Sequence, residues 1–448
     1  MKLDSSLMIS ISGVRGLVGK GINPESAQRF TAAYALGLDK GTVAVGRDSR
    51  DSGPPILHAV ISVLTFMGFD VVDLGVVSTP TVEIMVQELD GSGGIIITAS
   101  HNGPEWNALK FLDESGEFIS EEEVNRIKSL VSGDGNLFRE TGGFGSVTYS
   151  DRADRIHVGR IMSLEHIQPE RIAARGFRAV VDCVNGAGSR IVPLLLSELG
   201  VETVELFTDI DSGFPHVPEP RPENLGELAS AVRDRGADIG FACDPDADRL
   251  VLVDETGSVC SEEMTLSLAA GFILDKVRGP VVSNLSTTRL IDDIADANGV
   301  KHHRSRVGEA NVIEMMKQTG AVIGGEGNGG VIYPAVHYGR DAMVGIALIL
   351  EYMAETGKTL GDMVAELPKY YIIKEKFSFE GDFGELAGKA RDAFNGEVNL
   401  ADGIRIDMES GWVHLRMSNT EPVMRVIAEA GSEEESRDII ERAGRLAI

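Results

Sequence analysis

The stretch Gly93 to Phe111, GGIIITASHNGPEWNALKF, decides how the chain is built. Ile95, Ile96 and Ile97 form an unbroken apolar run, the pattern of a strand buried on both faces. Thr98, Ser100, His101 and Asn102 stand where such a strand ends, and Gly103-Pro104 sets a turn before Lys110 arrives on the next apolar segment. In open α/β sheets that edge is where ligands bind, which makes Ser100 a candidate nucleophile. On these residues alone the favoured reading is plainer: Ser100 or Asn102 caps a helix begun by Pro104. A reactive serine needs partners from elsewhere in the chain.

Outward from this strand one pattern occurs three times. The first copy is strand TVAVG from Thr42, helix Pro54 to Met67, strand DVVDL, helix Pro80 to Leu89 and the Ile95 strand. The second is strand FRAVVDC, helix Ser189 to Leu199, strand ETVELF, helix Leu225 to Arg235 and strand DIGFACD. The third is strand GPVVSNL, helix Thr288 to Ala297, strand VKHHRS, helix Glu309 to Gln318 and strand AVIGGE. Three β-α-β-α-β units imply three tandem α/β domains of parallel-sheet type with covering helices. Beyond Lys369, the short strands FSFEG, GIRIDM, WVHLRM and VMRVIAEAG, then an amphipathic helix Ser432 to Ala447, imply a smaller α+β domain. The expected domains are residues 1–150, 151–257, 258–368 and 369–448.

A chain of 448 residues suits several cores, and 43% hydrophobic with 25% charged residues is a globular composition. A formal net charge of -27 makes nucleic acid and anionic membranes poor partners, so an anionic ligand needs a locally basic site. MKLDSSLMIS lacks a signal-peptide pattern, and no apolar run, the best being Gly345 to Leu350, approaches the roughly 18 residues of a membrane span. Cys183, Cys243 and Cys260 contain no CxxC, which argues against a disulfide framework or zinc site and for small buried residues. The cytoplasm is the expected compartment.

Each copy ends in a polar loop of different chemistry: TASHN, DPDADR at Asp244 to Arg249, and GEGNGG at Gly325 to Gly330. Residues two apart in an extended loop point the same way, so Asp244, Asp246 and Asp248 converge and call for a cation, with hard oxygen ligands favouring Mg²⁺. An EF-hand fails because its sixth position is Arg249 and Leu250 to Val253 reads as a strand. A bare acidic turn would crowd three like charges. Arg249 offers a cationic fork to a phosphate on the same metal. RMSNTEPVMR, Arg416 to Arg425, gathers donors suited to a phosphate monoester, against the alternative of an ordinary Ser-Asn-Thr turn. Glu326 and Asn328 suit sugar hydroxyls, although a lone Gly-rich turn is a weak signal. SGVRG carries Arg15, and GRDSR carries Arg47 and Arg50, with Arg47 as apt to pair with Asp48 or Asp51 as to touch a ligand.

Taken together and in order, TASHN, D-x-D-x-D-R, GE-x-N-G and R-x-SNTEP resemble the four signature loops of the α-D-phosphohexomutases, most closely the phosphoglucosamine mutase and phosphomannomutase/phosphoglucomutase groups. The resemblance spans nearly the whole chain. It implies four domains around a central cleft, the first three with mixed, largely parallel sheets. It implies that Ser100 is carried as phosphoserine, that Ser100, Asp244, Asp246 and Asp248 hold Mg²⁺, and that Arg15, His101, Lys110 and Arg249 surround the reacting phosphate, the proton falling to His101 or Lys110. Glu326 and Asn328 then meet sugar hydroxyls, and Arg416, Ser418, Asn419, Thr420 and Arg425 hold the phosphate not being transferred. Where many relatives read GE-x-S-G-H this chain has Asn328 and Gly330, so no histidine role carries over; Pro245 stands where Gly is frequent, and Gly103 precedes Pro104.

The activity implied is phosphoryl movement between O6 and O1 of a hexose phosphate through a bisphosphate intermediate, with glucosamine 6-phosphate to glucosamine 1-phosphate first and mannose and glucose phosphates as the alternative. Catalytic amounts of a hexose 1,6-bisphosphate act as activator. The partners are a hexose or hexosamine monophosphate, without nucleic acid or membrane, in a monomer or homodimer. The rivals are a metal-dependent phosphomonoesterase and a sugar-phosphate-binding protein without catalysis.

Overall fold

In the computed structural model, which describes residues 4, 6–133, 135–138, 142–379, 381–417 and 423–446, the chain divides into two units, Met1–Phe272 with Gly329–Gly361 and Ile273–Asn328 with Asp362–Ile448. The first unit opens with β1 (Met8–Ser10), β2 (Gly13–Leu17), β3 (Thr42–Arg47), β4 (Asp70–Val76), β5 (Gly93–Ile97), β6 (Trp106–Leu112) and β7 (Val147–Tyr149). They form one sheet ordered β1-β2-β6-β5-β3-β4-β7. Ile95 and Ile97 lie in the apolar cluster beneath helix Gly53–Phe66, and Ile96 lies in the opposite one with Val82 and Met85 of helix Thr79–Glu88. The three isoleucines are therefore covered on both sides, as their unbroken run requires.

This sheet is mixed, as expected, and one expectation changes here. Parallel pairing holds for β3 with β4 and β5 and for β4 with β7, whereas β5-β6, β6-β2 and β2-β1 are antiparallel. The segment after Pro104 is a strand and not a helix: Trp106–Leu112 pairs with β5, setting Leu109 opposite Ile97 and Lys110 opposite Ile96. Leu109 and Phe111 enter the cluster of Ile95 and Ile97, and Leu112 enters that of Ile96, the alternation of a strand covered on both faces. Helix capping by Ser100 or Asn102 is thereby excluded.

A second sheet of the first unit holds β8 (Arg178–Asp182), β9 (Glu202–Leu206), β10 (Ile239–Cys243) and β11 (Leu250–Asp254) in the order β11-β10-β8-β9. β8 runs parallel to β9 and β10, and β10 turns antiparallel into β11 across DPDADR. In the second unit β12 (Val281–Asn284) lies between parallel partners β13 (His302–Ser305) and β14 (Ile323–Glu326). β15 (Gly330–Ile332) opens the returning segment of the first unit.

The tail forms an antiparallel sheet of β16 (Tyr371–Ser378), β17 (Glu397–Asn399), β18 (Ile404–Asp407), β19 (Gly411–Met417) and β20 (Val423–Ala430), ordered β16-β20-β19-β18-β17. Helices Phe383–Ala393 and Glu433–Arg445 share its apolar core. The first tail strand begins six residues before FSFEG, at the sheet edge, where exposed Tyr371, Lys374, Glu375 and Lys376 mask its alternation. Among the described residues no helix is long and apolar enough to cross a membrane. The three cysteines are buried and unpaired, and burial pushes each thiol up.

A buried polar hub fixes the first unit near its site. Asp341 caps helix Ala342–Thr356 through Oδ1, which accepts from Met343 N at 2.9 Å and Val344 N at 3.3 Å. Its Oδ2 meets His157 Nε2 at 2.8 Å and His337 Nε2 at 3.2 Å. His157 Nδ1 in turn meets Thr81 Oγ1 at 2.9 Å, and His337 Nδ1 faces Glu83 Oε2 at 3.2 Å. Burial opposes charge on His337, but Asp341 and Glu83 overcome it and carry its pKa up to about 9.

A folded-state pKa above the unfolded value of about 6.5 gives stability that is complete below pH 6.5 and lost as pH rises through about 9, on the order of 3 kcal/mol here. The apparent thermal midpoint of the wild type should therefore fall more steeply from pH 6.5 to 9.5 than that of His337→Gln. Parallel curves for the two proteins would show that the folded chain keeps His337 neutral.

Candidate active site

Ser100 closes β5 in the left-handed region, at φ 49°, a conformation that non-glycine residues hold only when their surroundings fix it. Arg50 does the fixing. Its Nη2 donates to the Ser100 carbonyl and, at 2.8 Å, to that of Asn102; its Nη1 donates to the carbonyls of Gly103 at 2.6 Å and Trp106 at 3.0 Å. Arg50 Nε donates to Asp48 Oδ2 at 2.8 Å, with both side chains fully buried. Asp48 also accepts from Thr98 Oγ1 at 2.6 Å, and that hydroxyl accepts from Ser100 N at 2.9 Å. Arg47 bonds the Asp48 carbonyl instead of the carboxylates of Asp48 or Asp51. GRDSR therefore builds the serine loop from below.

Ser100 Oγ donates to Asp244 Oδ2 at 2.7 Å, and His101 Nδ1 lies 3.3 Å from the same hydroxyl. Arg15 Nη1 donates to Asn102 Oδ1 at 2.5 Å. Asp244, Asp246 and Asp248 are wholly buried and bring one ligand atom each within 4.8 Å of the others. They converge by a different route from the extended loop expected. Ala247 N donates to Asp244 O at 2.9 Å and Ala247 sits at φ 52°, so a tight turn gathers the carboxylates. The turn is pressed by its neighbour: a Cβ on Gly186 would stand 2.6 Å from Pro245 Cα, so glycine is required there.

Cations from distant segments answer this charge. Lys110 Nζ lies 2.6 Å from Asp246 Oδ2 and 3.7 Å from Asp248 Oδ2, and Arg340 Nη2 lies 2.6 Å from Asp248 Oδ2. Arg249 Nε stays looser, 3.9 Å from Asp244 and 3.7 Å from Asp248, and Thr79 Oγ1 donates to Asp246 Oδ2 at 2.6 Å. Burial raises Asp246 but Lys110 outweighs it and holds the group below the usual carboxylate range; burial and then the charges of Asp248 and Asp246 push Asp244 well above it. The Arg249 charge, then burial, hold the His101 imidazole down at about 2, so it is neutral. Asp246 Oδ1 and Asp248 Oδ1 are buried without a hydrogen-bond partner among the described residues. Three hard oxygen donors, two of them orphaned, fit a divalent cation.

The second unit carries the other predicted groups. Glu326 Oε1 accepts from Asn284 Nδ2 at 2.8 Å and from Gly308 N at 3.0 Å, and Asn328 Nδ2 lies 3.5 Å from Glu326 Oε2. Arg416 stands directly opposite Arg425 in the β19-β20 ladder, with its Nη2 3.0 Å from Asp402 Oδ2. Ser418, Asn419 and Thr420 lie outside the described residues. Sequence reasoning missed Thr79, Arg340 and the structural part of Arg50. For Arg340 the signal was GRD ahead of an apolar helix, where Asp341 caps and its neighbour is left to reach the acidic loop.

Comparison with known proteins bears on the whole length. Four domain descriptions match in order: phosphoglucomutase/phosphomannomutase alpha/beta/alpha domain I over residues 8–136, domain II over 160–257, domain III over 261–371, and the C-terminal domain over 379–444. A probable phosphoglucosamine mutase of Methanopyrus kandleri is 37% identical over 435 residues, 96% of this chain and 95% of its own. A phosphoglucomutase/phosphomannomutase of Thermococcus kodakarensis is 36% identical, covering 96% of both chains. Among solved structures, a phosphoglucomutase/phosphomannomutase family protein of Burkholderia thailandensis superposes with a TM-score of 0.85 at 29% identity, over 98% of this chain and 97% of that one. With four domains matched in order and relatives aligned end to end, the chain belongs to the phosphoglucomutase/phosphomannomutase family of α-D-phosphohexomutases.

Proposed function

We propose that the chain interconverts hexosamine 6- and 1-phosphates, glucosamine phosphate first, through phosphorylated Ser100. The observation that carries this reading is the Ser100 hydroxyl, 2.7 Å from Asp244 within a buried trio of carboxylates and ringed by Arg15, Lys110, Arg249 and Arg340. In the forward half-reaction the P–O bond to Ser100 breaks as a bond to the free sugar hydroxyl forms, giving a hexose 1,6-bisphosphate. The sugar then reverses, and its other phosphoryl group returns to Ser100. An added bisphosphate primes the unphosphorylated enzyme by the same transfer.

Asp244, Asp246 and Asp248, with an oxygen on Ser100, would hold Mg²⁺, which supplies charge stabilisation to the transferring phosphoryl oxygens when bound. Lys110 is engaged by Asp246 and Asp248, so its work is to balance the carboxylates and the incoming phosphate. His101 Nδ1, at 3.3 Å from Ser100 Oγ, orients that oxygen; with its pKa held down at about 2 the imidazole is too weak a base to take the proton of the sugar hydroxyl. Glu326 and Asn328 read sugar hydroxyls, and Arg416, Ser418, Asn419, Thr420 and Arg425 hold the second phosphate. A hydrolase needs no second anion site, and the opposed Arg416 and Arg425 support the mutase over it.

A second reading, preference for mannose and glucose phosphates, is favoured by the Thermococcus kodakarensis relative and by the Burkholderia thailandensis structure. Turnover of glucosamine, glucose and mannose phosphates side by side, with Mg²⁺ and trace bisphosphate, separates the two. A kcat/KM at least about tenfold higher for glucosamine phosphate supports the first reading, and the reverse ratio establishes the second.

Ser100→Ala should fold normally, lower turnover by at least about 10³-fold and take up no phosphate from a labelled bisphosphate. Near-wild-type turnover in that variant would remove the phosphoserine mechanism. Chelation of divalent ions should likewise silence the wild type, with activity returning on addition of Mg²⁺; full activity after exhaustive chelation would assign the carboxylates a purely structural part.

A further inference from the structure

In an antiparallel ladder, directly opposed residues share a face and alternate residues take opposite faces. In the tail sheet one face is the core, carrying Ile404, Ile406, Val413, Leu415, Met424 and Val426. The other face is polar and runs in columns. Arg405, His414, Ile427 and Lys374 stand opposite one another across four strands, and the next column holds Arg416, Arg425 and Lys376.

The first column is tied into the same unit. Arg405 Nη1 donates to Leu285 O at 2.5 Å, His414 Nδ1 meets Ser286 Oγ at 3.0 Å, and Lys374 Nζ reaches the carbonyl of Gly327, inside GEGNGG, at 3.5 Å. The second column is different. Three cations stand side by side on neighbouring strands, where like charges repel. Asp402, 3.0 Å from Arg416, is their single carboxylate partner among the described residues, and it also accepts from Val307 N at 2.9 Å. Arg416 Nε is buried without a hydrogen-bond partner among the described residues, while Lys376 and Arg425 are exposed. In a chain with formal charge -27, such a row is stable in its place when an anion sits on it.

We propose that Lys376 is a substrate-binding residue, the third cation of a row with Arg416 and Arg425 that grips the phosphate not being transferred. It lies on β16, some forty residues before RMSNTEPVMR and outside every signature loop. Lys374, two residues earlier, binds the sugar loop, so one edge strand links hydroxyl recognition to phosphate recognition. The inference rests on the mutase reading above.

The test uses the full chain and four proteins: wild type, Lys376→Gln, Lys376→Arg and the exposed-helix control Lys389→Gln. With glucose 1-phosphate as probe, Lys376→Gln should raise KM about tenfold with less than a twofold change in kcat, because the lost contact is uniform through the reaction. Lys376→Arg should recover most of the loss, Lys389→Gln should match the wild type, and the salt dependence of kcat/KM should become shallower in Lys376→Gln. An unchanged KM, or a fall confined to kcat, overturns the assignment and leaves the mutase reading standing. If the wild type isomerises no hexose phosphate, that reading fails by itself. Calorimetric binding of glucose 1,6-bisphosphate then decides for Lys376: weaker binding to Lys376→Gln supports it, and equal binding overturns it.

Discussion

Three aspartates, wholly out of water and within 4.8 Å of one another, are the constraint on which the first unit depends. Isolated carboxylates cannot stay ionised in such a place, and charges of like sign at this distance raise one another. The chain meets the difficulty by folding cations in from far away. Lys110 comes from β6, Arg249 from the loop itself, and Arg340 from the segment that returns after β15. Arg340 is aimed by the residue that follows it. Asp341 is locked by the cap of its helix and by two buried histidines, which gives Arg340 little freedom to leave Asp248. The ion pairs therefore bind three remote stretches of chain into one site, and their value lies in position more than in net stability.

The serine is held by a separate device that shares no residue with the first. One guanidinium collects four carbonyls of the turn, and its own charge is met by Asp48, which also fixes the Thr98 hydroxyl beneath Ser100. Backbone strain at Ser100 is thus carried by a rigid floor, and the hydroxyl is presented to Asp244 before any substrate arrives. Such preparation lowers the reorganisation that a transfer step would otherwise demand.

Much of this was legible in the sequence, and the part that was not has a physical reason. The apolar run at Ile95 and the alternating strand and helix periods are local, and they gave all nine strands and six helices of the repeated units to within a few residues. The aspartates were legible from their crowding alone. What could not be read was whatever depends on register or return of the chain. Local residues favoured a capped helix begun by Pro104, and only pairing with the partner strand makes Trp106–Leu112 extended. Arg340 meets Asp248 across 92 positions, and Lys376 joins Arg425 only once β16 has paired with β20. The tight turn that gathers the aspartates hangs on a left-handed Ala247, for which alanine gives no signal.

Charge also explains how an acidic chain can take an anionic substrate. A hexose phosphate approaching a body of charge -27 is repelled at long range, but at physiological salt that field decays over about 8 Å. Inside that distance the nearest charges decide. In the first unit they are Arg15, Lys110, Arg249 and Arg340 around buried carboxylates, and in the second Arg416, Arg425 and Lys376 on one sheet face. The two groups differ in a way that matches two tasks. Cations beside carboxylates suit a phosphoryl group whose charge shifts during transfer, because opposite charges are already in place to divide it. A row of cations with a single acid beside it suits a phosphate that only has to be held, because the charge on such a group stays constant.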